Sequence, residues 1–415
     1  MPERLKVLVV TYGTPYPPNS GVKIRDFNLL RRISRSVTLF LCVLATEGSI
    51  PDLSELRTFC AKVIVVPATS RTPFQIFTNS IRCWTAGCRL AAHQFFYPEL
   101  ARQIRSIISE DGIDILQIEH SFLVAYRTAI PANSRCRTIL SLHNVGSRQY
   151  LRIANTQSAP LATISYRLKS FLINRMETAN AAEFDHCIVV SAEEARLLGA
   201  SVPEDKFSVV ENGVDCADIR PLAQTVFGND LLFIGVIGYP PNTDAVLYFC
   251  KAILPLIRRA IPDARLLVVG HAPPAEVRML ASSEAIIVTG AVEDPVPYYR
   301  RCRVCVAPLR AGGGTRLKIL EAMAFGRPVV TTSLGCEGIE VVNGEHLLIG
   351  DTAEAFAENV IRLLRHPELS EKIVGAARQM VEQSYDWSLI APKLLQVYRG
   401  LAVRGQSSNN DAAAR

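Results

Sequence analysis

Short apolar runs alternate with longer segments of helical period along the first half of the chain. Each apolar run has the length of a buried strand, and the segments between the runs repeat apolar residues at helical spacing. This alternation is typical of a parallel sheet with crossover helices. It predicts helices over 23–34, 78–110, 161–183 and 192–198, and strands over 6–10, 37–44, 62–66, 115–118, 138–142, 186–190 and 206–210.

A second alternation of the same kind begins near residue 231, after a turn signal in 211–215. Its apolar runs are again short, and its helical segments again lie between them. The second pattern therefore indicates a second sheet with its own crossover helices. It predicts helices over 243–260, 274–280, 296–300, 316–325 and 353–366, and strands over 231–236, 265–269, 285–288, 304–307, 329–332 and 347–349.

The two alternations predict an α/β protein of two domains, each a doubly wound, Rossmann-like sheet. A chain of 415 residues also exceeds what a single core usually serves. We expect the domains to cover 1–217 and 218–385, with a helix over 386–402 packing back on the first domain and a disordered tail over 403–415. Doubly wound sheets bind ligands at the carboxyl ends of their strands, so a deep cleft between two facing domains is the expected site.

A glycine run stands between an apolar strand and a helix-like segment in the second half. Gly312, Gly313 and Gly314 follow the run 302–309 and precede 316–325, which stops at Gly-Arg-Pro. Backbone N–H groups at such a helix start can approach an anion, and the helix adds partial positive charge. Arg316 and Lys318 add full charges, and Glu321 lies about one turn further on. This pattern suits a nucleotide or nucleotide sugar, although a helix with a flexible entry would show the same glycine run.

Composition and charge narrow the class of protein. Hydrophobic residues make up 49% of the chain and charged residues 20%, as in an ordinary packed enzyme. A net charge of +6 is too small to indicate a nucleic acid partner. Residues 1–220 hold 25 Lys and Arg against 20 Asp and Glu, with aromatic residues among the cations. This basic half either rests against anionic lipid or is a solvated surface.

The N-terminus and the cysteines point to the cytoplasm. The chain passes within a few residues into the strand-like LKVLVVTYG rather than into the apolar core of a signal peptide. Several of the eleven cysteines lie in apolar runs, where free Cys behaves as a small hydrophobe. Cys302 and Cys305 have a C-x-x-C spacing, but no second pair or His partner is spaced for zinc. We expect a packing role for both.

Several segments together resemble the family 4 retaining glycosyltransferases, which have the GT-B architecture of two facing Rossmann-like domains. The similar segments extend over about residues 5–400. They are TYGTPYPPNSGVKIRDFNLLRRIS (11–34), SLHNVGSRQY (141–150), VVSAEEA (189–195), ENGVD (211–215), FIGVIGYPPNTDAVLYF (233–249), PDARLLVVG (262–270) and TGAVEDPVPYY (289–299).

The resemblance implies a nucleotide diphosphate sugar as the donor, held mainly by the second domain, and an acceptor held mainly by the first. Glu321 matches the second glutamate of the family's E-x7-E motif and is expected to accept from the ribose hydroxyls. The loop 290–293, with Val292, is expected to receive the base through its backbone. The other implied donor-side residues are Gly21, Gly235, Gly313, Gly314, Thr315, Arg316 and Lys318.

In the first domain, His143 matches a family histidine near the transferred sugar. His143 and Lys318 are the two residues for which we expect a catalytic role. A structural role is open for His143, which could cap the loop at Asn144. His120 and Asn144 are weaker expectations for the acceptor side.

The sequence departs from the family pattern at two places. Gly313 stands where the first glutamate of E-x7-E would contact the transferred sugar. Val236 and Pro241 stand where the family commonly has an Arg and a Lys for the diphosphate. A buried diphosphate without fixed cations would be costly. We therefore expect Arg316 and Lys318 to supply the missing charge.

The resemblance implies a retaining sugar transfer to a saccharide or lipid-linked acceptor, with no cofactor. The sequence has no D-x-D motif, so we expect no metal. We expect a cytoplasmic enzyme, with peripheral association at the inner membrane face left open. A GT-B epimerase or hydrolase acting on nucleotide sugars is one alternative. A non-catalytic nucleotide-sugar-binding protein is another, suggested by Gly313.

Overall fold

The structure, a computed structural model, describes residues 4–46, 52–69, 75, 78, 95–156, 159–199, 202–223 and 228–413. Part of the predicted helix 78–110 and part of the predicted basic, aromatic surface fall outside these ranges. The described residues form two parallel sheets with helices between successive strands. The predicted α/β class with two doubly wound sheets is confirmed.

The first sheet has seven strands in the order β3-β2-β1-β4-β5-β6-β7, and every neighbouring pair is parallel. Its central strands consist of almost continuous apolar residues because both faces of a doubly wound sheet are covered. The strands are Lys6–Tyr12 (β1), Thr38–Ala45 (β2), Lys62–Pro67 (β3), Ile115–Glu119 (β4), Arg137–Ser141 (β5), His186–Val189 (β6) and Phe207–Val209 (β7).

The second sheet has six parallel strands in the order β10-β9-β8-β11-β12-β13. The order reverses between β8 and β11, so the carboxyl ends of these two strands are the switch point of the sheet. The strands are Asp230–Ile234 (β8), Arg265–Val269 (β9), Ile286–Gly290 (β10), Val304–Ala307 (β11), Val329–Thr331 (β12) and Leu348–Ile349 (β13).

Helices connect the strands of both sheets. Those up to residue 199 are Gly21–Ile33 (α1), Ser54–Phe59 (α2), Pro98–Asp111 (α3), Gly146–Thr156 (α4), Pro160–Glu183 (α5) and Ala192–Gly199 (α6). The later ones are Pro240–Tyr248 (α7), Leu254–Ala260 (α8), Ala275–Arg278 (α9), Val296–Arg301 (α10), Leu317–Ala324 (α11), Ala353–Arg365 (α12), Pro367–Ser384 (α13) and Trp387–Ala413 (α14). Within the described residues, no helix is both long enough and apolar enough to cross a bilayer.

The chain divides into two compact units. The first contains Met1–Ser147, Phe171–Glu211 and Ile390–Arg415, and the second contains Arg148–Ser170 and Asn212–Leu389. The break after Glu211 lies near the predicted division at 217. The sequence pattern did not indicate that the segment after Ser147 belongs with the second unit.

The C-terminal helix α14 extends to Ala413, whereas the sequence predicted an end near 402 and a disordered tail. The part of α14 that begins at Ile390 belongs to the first unit, and polar side chains bond it to that unit. Tyr398 donates its hydroxyl to the Gln117 side chain at 2.7 Å, and Lys393 pairs with Glu211 at 2.7 Å.

Cys302 and Cys305 lie side by side at the start of β11, with their sulfur atoms 3.7 Å apart. Both residues are buried and both are free thiols. Burial, together with the neighbouring Cys302, raises the pKa of the Cys305 thiol well above its ordinary value. Protonated thiols in an apolar layer pack as small hydrophobes.

The buried carboxylate of Asp230 anchors the start of β8. It is fully buried and accepts from Arg265 at 2.9 Å and from Arg301. We expect Asp230→Ala to lower the free energy of unfolding of the second unit by about 2 kcal/mol, because two half-exposed guanidinium groups lose charge-assisted hydrogen bonds to a buried carboxylate. Urea unfolding followed by circular dichroism measures this loss.

The control for Asp230→Ala is Asp244→Ala, which removes the more exposed ion pair with Arg310. That change should cost less than about 1 kcal/mol. Equal losses in the two variants would show that burial of Asp230 adds nothing to the pair.

Candidate functional site

The glycine run forms the loop between β11 and α11, at the switch point of the second sheet. Gly312 has φ 114° and Gly314 φ 72°, a region that favours glycine, so the loop needs this residue type at both positions. The Arg316 guanidinium turns back and donates to the carbonyls of Gly313 and Gly314. Its charge therefore lies against the loop itself.

Lys318 reaches from α11 to Gly235, directly after β8, and to the first turn of α7. Its ammonium donates to Oδ1 of Asn242 at 2.8 Å and lies 4.0 Å from the centre of the Phe233 ring. Asn242 in turn donates to the carbonyl of Val236 at 2.8 Å. A Cβ at Gly235 would lie 3.0 Å from the ammonium, so glycine leaves room for the lysine there.

A carboxylate and a phenol lie close to this lysine. Glu321 is one turn along α11 from Lys318, and the buried Tyr299 of α10 interacts electrostatically with it. Burial raises the pKa of Glu321 to about 7, against the opposing effects of Lys318 and Tyr299. Burial and the Arg316 charge lower the pKa of Lys318 to about 7, against the effect of Glu321. Each group can therefore change its charge near neutral pH.

Two buried hydroxyl groups in this region form no hydrogen bond of ordinary geometry within the described part of the chain. They are the hydroxyls of Thr315, in the glycine loop, and Tyr299. A buried hydroxyl without a partner costs about 1–3 kcal/mol, and such groups often face a ligand or water.

An ion-pair cluster next to the glycine loop was not predicted from the sequence. Arg152 of α4 donates to the carbonyl of Gly312 at 2.7 Å and to Glu337 at 2.6 Å. Arg148, one turn earlier, donates to Glu337 at 3.1 Å. The four-residue spacing of the two arginines is the only sequence signal, and no helix was predicted there. Their partner Glu337 lies far away along the chain.

The first unit has its own cluster at the carboxyl ends of β4 and β5. Nε2 of His143 lies 2.7 Å from Glu119 and 3.6 Å from Asp26. His120, at the end of β4, has φ 77° and its ring lies 4.2 Å from that of His143. Gln117 donates to the other oxygen of Glu119. The structure thus brings the two predicted histidines together with two carboxylates that the sequence did not single out.

The charges of this first-unit cluster are set by burial and by its internal hydrogen bonds. Burial opposes ionisation of Glu119, but hydrogen bonds from His143, Ser141 and Gln117 outweigh it and lower its pKa to about 2. Burial and the charge of Glu119 raise the pKa of Asp26 to about 7. Burial lowers the pKa of His120 to about 3, so its imidazole is neutral at physiological pH.

The remaining predicted residues lie at the same sheet edges. Gly21 begins α1, the helix that follows β1 and carries Asp26. Asn144 follows His143 and is half-buried. Val292 is half-buried two residues beyond Gly290, the end of β10.

Two family models match the chain. Residues 55–218 match the model described as Glycosyltransferase Family 4, and residues 228–366 match the model described as Glycosyl transferases group 1. The phosphatidyl-myo-inositol mannosyltransferase of Mycobacterium leprae is 30% identical over 206 residues, which are 47% of this chain and 54% of that protein. The chain thus spans about half the length of this curated relative.

Solved structures share the fold over nearly the whole chain. The sucrose-phosphate synthase of Thermosynechococcus elongatus has a TM-score of 0.73 at 19% identity, and the match covers 97% of this chain and 100% of that chain. The Anabaena protein HepE, in complex with UDP and glucose, has a TM-score of 0.68 at 12% identity, with coverage of 94% and 98%. At these identities the likeness establishes the fold.

The raised pKa of Asp26 predicts a pH-dependent effect of Asp26→Asn. Between the ordinary pKa of 3.8 and about 7, the folded state holds a proton that the unfolded state has released. The contribution of protonated Asp26 to the free energy of unfolding is complete below this pH window and is lost as the pH rises through it. The amide variant should therefore gain stability relative to the wild type as the pH rises from 4 to 8, by no more than about 4 kcal/mol.

Urea unfolding at a series of pH values measures this difference, with the exposed Asp218→Asn as the control. A stability difference between Asp26→Asn and the wild type that stays constant with pH would contradict the raised pKa of Asp26.

Proposed function

We propose that this chain, which belongs to the family 4 and group 1 glycosyltransferases, transfers a sugar from a nucleotide diphosphate sugar to an acceptor hydroxyl. The observation that carries the proposal is the position of Lys318 at the carboxyl end of β8, beside Gly235. The segment that follows β8 has Val236 and, in the first turn of α7, Pro241 instead of cations, and Lys318 brings a positive charge to this segment from α11.

Lys318 and the backbone amides of the glycine loop would hold the diphosphate. The amides at the start of α11 and the ammonium of Lys318 can both donate to phosphate oxygens, and hydrogen bonds to charged groups are the stronger ones. Arg316 contributes differently from our expectation, because its guanidinium holds the carbonyls of Gly313 and Gly314. It would shape the loop and add a positive field rather than reach the phosphate.

Glu321 would accept hydrogen bonds from the ribose hydroxyls, and the loop at Val292 would receive the base. The hydroxyl of Thr315 has no hydrogen-bond partner among the described residues, which supports a ligand at the glycine loop. An oxygen of the nucleotide sugar could accept a hydrogen bond from it. With glycine at 313, no side chain at that position contacts the transferred sugar.

The chemical step would break the bond between the anomeric carbon and the diphosphate oxygen, with oxocarbenium character at the carbon. Stabilising the departing diphosphate would be the largest catalytic term. We propose retention of configuration, in which the acceptor hydroxyl attacks from the leaving-group face and passes its proton to the departing phosphate. This route needs no separate carboxylate base.

The first-unit cluster would serve the acceptor side. His120, neutral at physiological pH, can donate and accept hydrogen bonds with hydroxyl groups. Glu119 fixes His143 through a charge-assisted bond. We propose a saccharide or a lipid-linked acceptor in glycolipid or polysaccharide synthesis. The name of the Mycobacterium leprae relative, a phosphatidyl-myo-inositol mannosyltransferase, supports an acceptor of this kind.

A nucleotide-binding experiment tests the assignment of Lys318 and Glu321. A thermal-shift screen of UDP-, GDP-, ADP- and TDP-sugars first identifies the donor nucleotide. Calorimetry then compares the nucleoside diphosphate with the nucleoside alone. Lys318→Met should weaken diphosphate binding by about tenfold or more and leave nucleoside binding unchanged, because it removes a charge-assisted hydrogen bond.

Glu321→Gln should weaken both ligands, because both contain the ribose. Wild-type diphosphate affinity should also fall as the pH rises through 7, where Lys318 loses its charge. The control is Arg310→Gln, an exposed cation near the same loop that pairs with Asp244. Unchanged diphosphate affinity in Lys318→Met would contradict the assignment.

The proposal of a metal-independent reaction has a specific test. Asp26, Glu119 and His143 offer ligand atoms within 4.8 Å of one another, a spacing that a metal ion accepts. Dialysis against EDTA should leave transfer of the sugar unchanged, because the diphosphate would be stabilised by Lys318 and backbone amides. Loss of activity on chelation that added Mg²⁺, Mn²⁺ or Zn²⁺ restores would contradict this proposal.

A further inference from the structure

The helix α5 presents large apolar side chains to solvent along one side. Leu161, Ile164 and Leu168 are 83%, 63% and 57% exposed, and Phe171 and Leu172 continue the series at 57% and 56%. Scattered exposed apolar residues are normal, but five of them on one helix form a patch that needs a partner. The five residues are named here the α5 stripe.

The α5 stripe occupies one side of the helix because of its spacing. Successive members are three, four, three and one residues apart, which places them all within a sector of about 100° at 3.6 residues per turn. The opposite side carries Tyr166, Ser170 and Ile173, which are half-buried, and Glu177, which is buried. The helix therefore packs on the protein by that side and presents a second apolar side to solvent.

Cations border the α5 stripe. On the same helical spacing, Arg167 lies at one edge of the stripe, Lys169 at the other and Arg175 within it, and all three are exposed. In the part of the chain that the structure describes, none of the three forms an ion pair. Lys169 lies 5.3 Å from the ring centre of Tyr166, and Arg175 lies 5.9 Å from that of Phe171.

The sequence around α5 strengthens the positive charge. Residues 120–176 contain eight Lys and Arg and not one Asp or Glu. The other arginines in this interval that form ion pairs do so with acidic residues elsewhere in the chain, as Arg127 does with Glu183 and Arg137 with Asp185. A partner for α5 must therefore combine an apolar interior with a negatively charged surface.

We propose that α5 is a membrane-docking helix that lies in the interface of an anionic bilayer. The α5 stripe would enter the boundary between headgroups and acyl chains, and Arg167, Lys169 and Arg175 would bind lipid phosphates. A second copy of the chain fits less well, since each α5 would present the same cations to the other. The helix lies within the basic half, residues 1–220, for which the sequence left contact with anionic lipid open.

Vesicle co-sedimentation of the full chain, without substrates, tests the docking helix independently of sugar transfer. The wild type should bind vesicles of phosphatidylglycerol and phosphatidylcholine and bind pure phosphatidylcholine at least about tenfold more weakly. The triple variant Leu161→Ser, Ile164→Ser, Leu168→Ser removes apolar insertion. The triple variant Arg167→Gln, Lys169→Gln, Arg175→Gln removes the charge. Each should lower the partition coefficient on anionic vesicles at least about tenfold.

Two control variants match these changes on other exposed surfaces. Met279→Ser with Val342→Ser controls for lost apolar exposure, and Arg35→Gln, Arg57→Gln, Arg259→Gln controls for lost charge. Both should bind anionic vesicles as the wild type does. Circular dichroism and an unchanged thermal midpoint show that all variants are folded, as expected for changes at exposed positions.

Three outcomes would overturn the docking helix. The wild type could fail to bind anionic vesicles. Both α5 variants could bind as well as the wild type, which would place the lipid-binding surface elsewhere. Light scattering could instead show a dimer that Leu161→Ser, Ile164→Ser, Leu168→Ser dissociates, with no vesicle binding, which would make a second copy the partner.

Discussion

The second unit depends on keeping a positive charge at the apolar edge of a parallel sheet. Lys318 is partly buried, so its ammonium has lost much of its hydration, and only well-placed partners offset that loss. Asn242 accepts one hydrogen bond, and the face of Phe233 receives the cation. Gly235 provides the space, and Glu321 provides the opposite charge one turn along the helix. Burial and Arg316 still lower the pKa of Lys318 to about 7, so an anionic ligand in contact with the ammonium would stabilise its charged form.

The first unit also stabilises a buried charge, in this case a negative one. Glu119 is buried at the carboxyl end of β4 and remains anionic because three side chains donate to it. Its charge then makes ionisation of the neighbouring Asp26 unfavourable, so a single negative charge is stabilised where two carboxyls lie together. Tyr398 of the last helix bonds to Gln117, which in turn bonds to Glu119. The C-terminal helix therefore supports this cluster through a relay of hydrogen bonds.

Much of the fold was predictable because parallel strands buried on both faces are short, continuous apolar runs. Every described strand of both sheets lies at or within about two residues of its predicted position, which is the usual error at element ends. The prediction of a disordered tail from residue 403 differed from the structure. Residues 403–413 are polar and lack a strong apolar period, yet they continue the helix that begins at Trp387.

The glycine run, Lys318 and Glu321 are close in sequence, so their proximity in the second unit was predictable from that stretch alone. The partners that define their chemistry were not, because Asn242, Phe233 and Tyr299 come from other elements. Arg152 and Glu337 illustrate the same limit: the fold brings them together at the glycine loop across 185 positions of sequence.

The sequence by itself determined the two doubly wound sheets, the glycine loop and the family. Those features depend on local period, turn residues and short motifs, which are read over a few neighbouring residues. Only the tertiary structure decided which charges are paired, buried or exposed. It turned Arg316 back on the loop, placed Lys318 beside Gly235, joined His143 to Glu119 and left the α5 stripe in solvent. Burial and pairing arise from contacts between distant segments, and they set each pKa and each exposed surface.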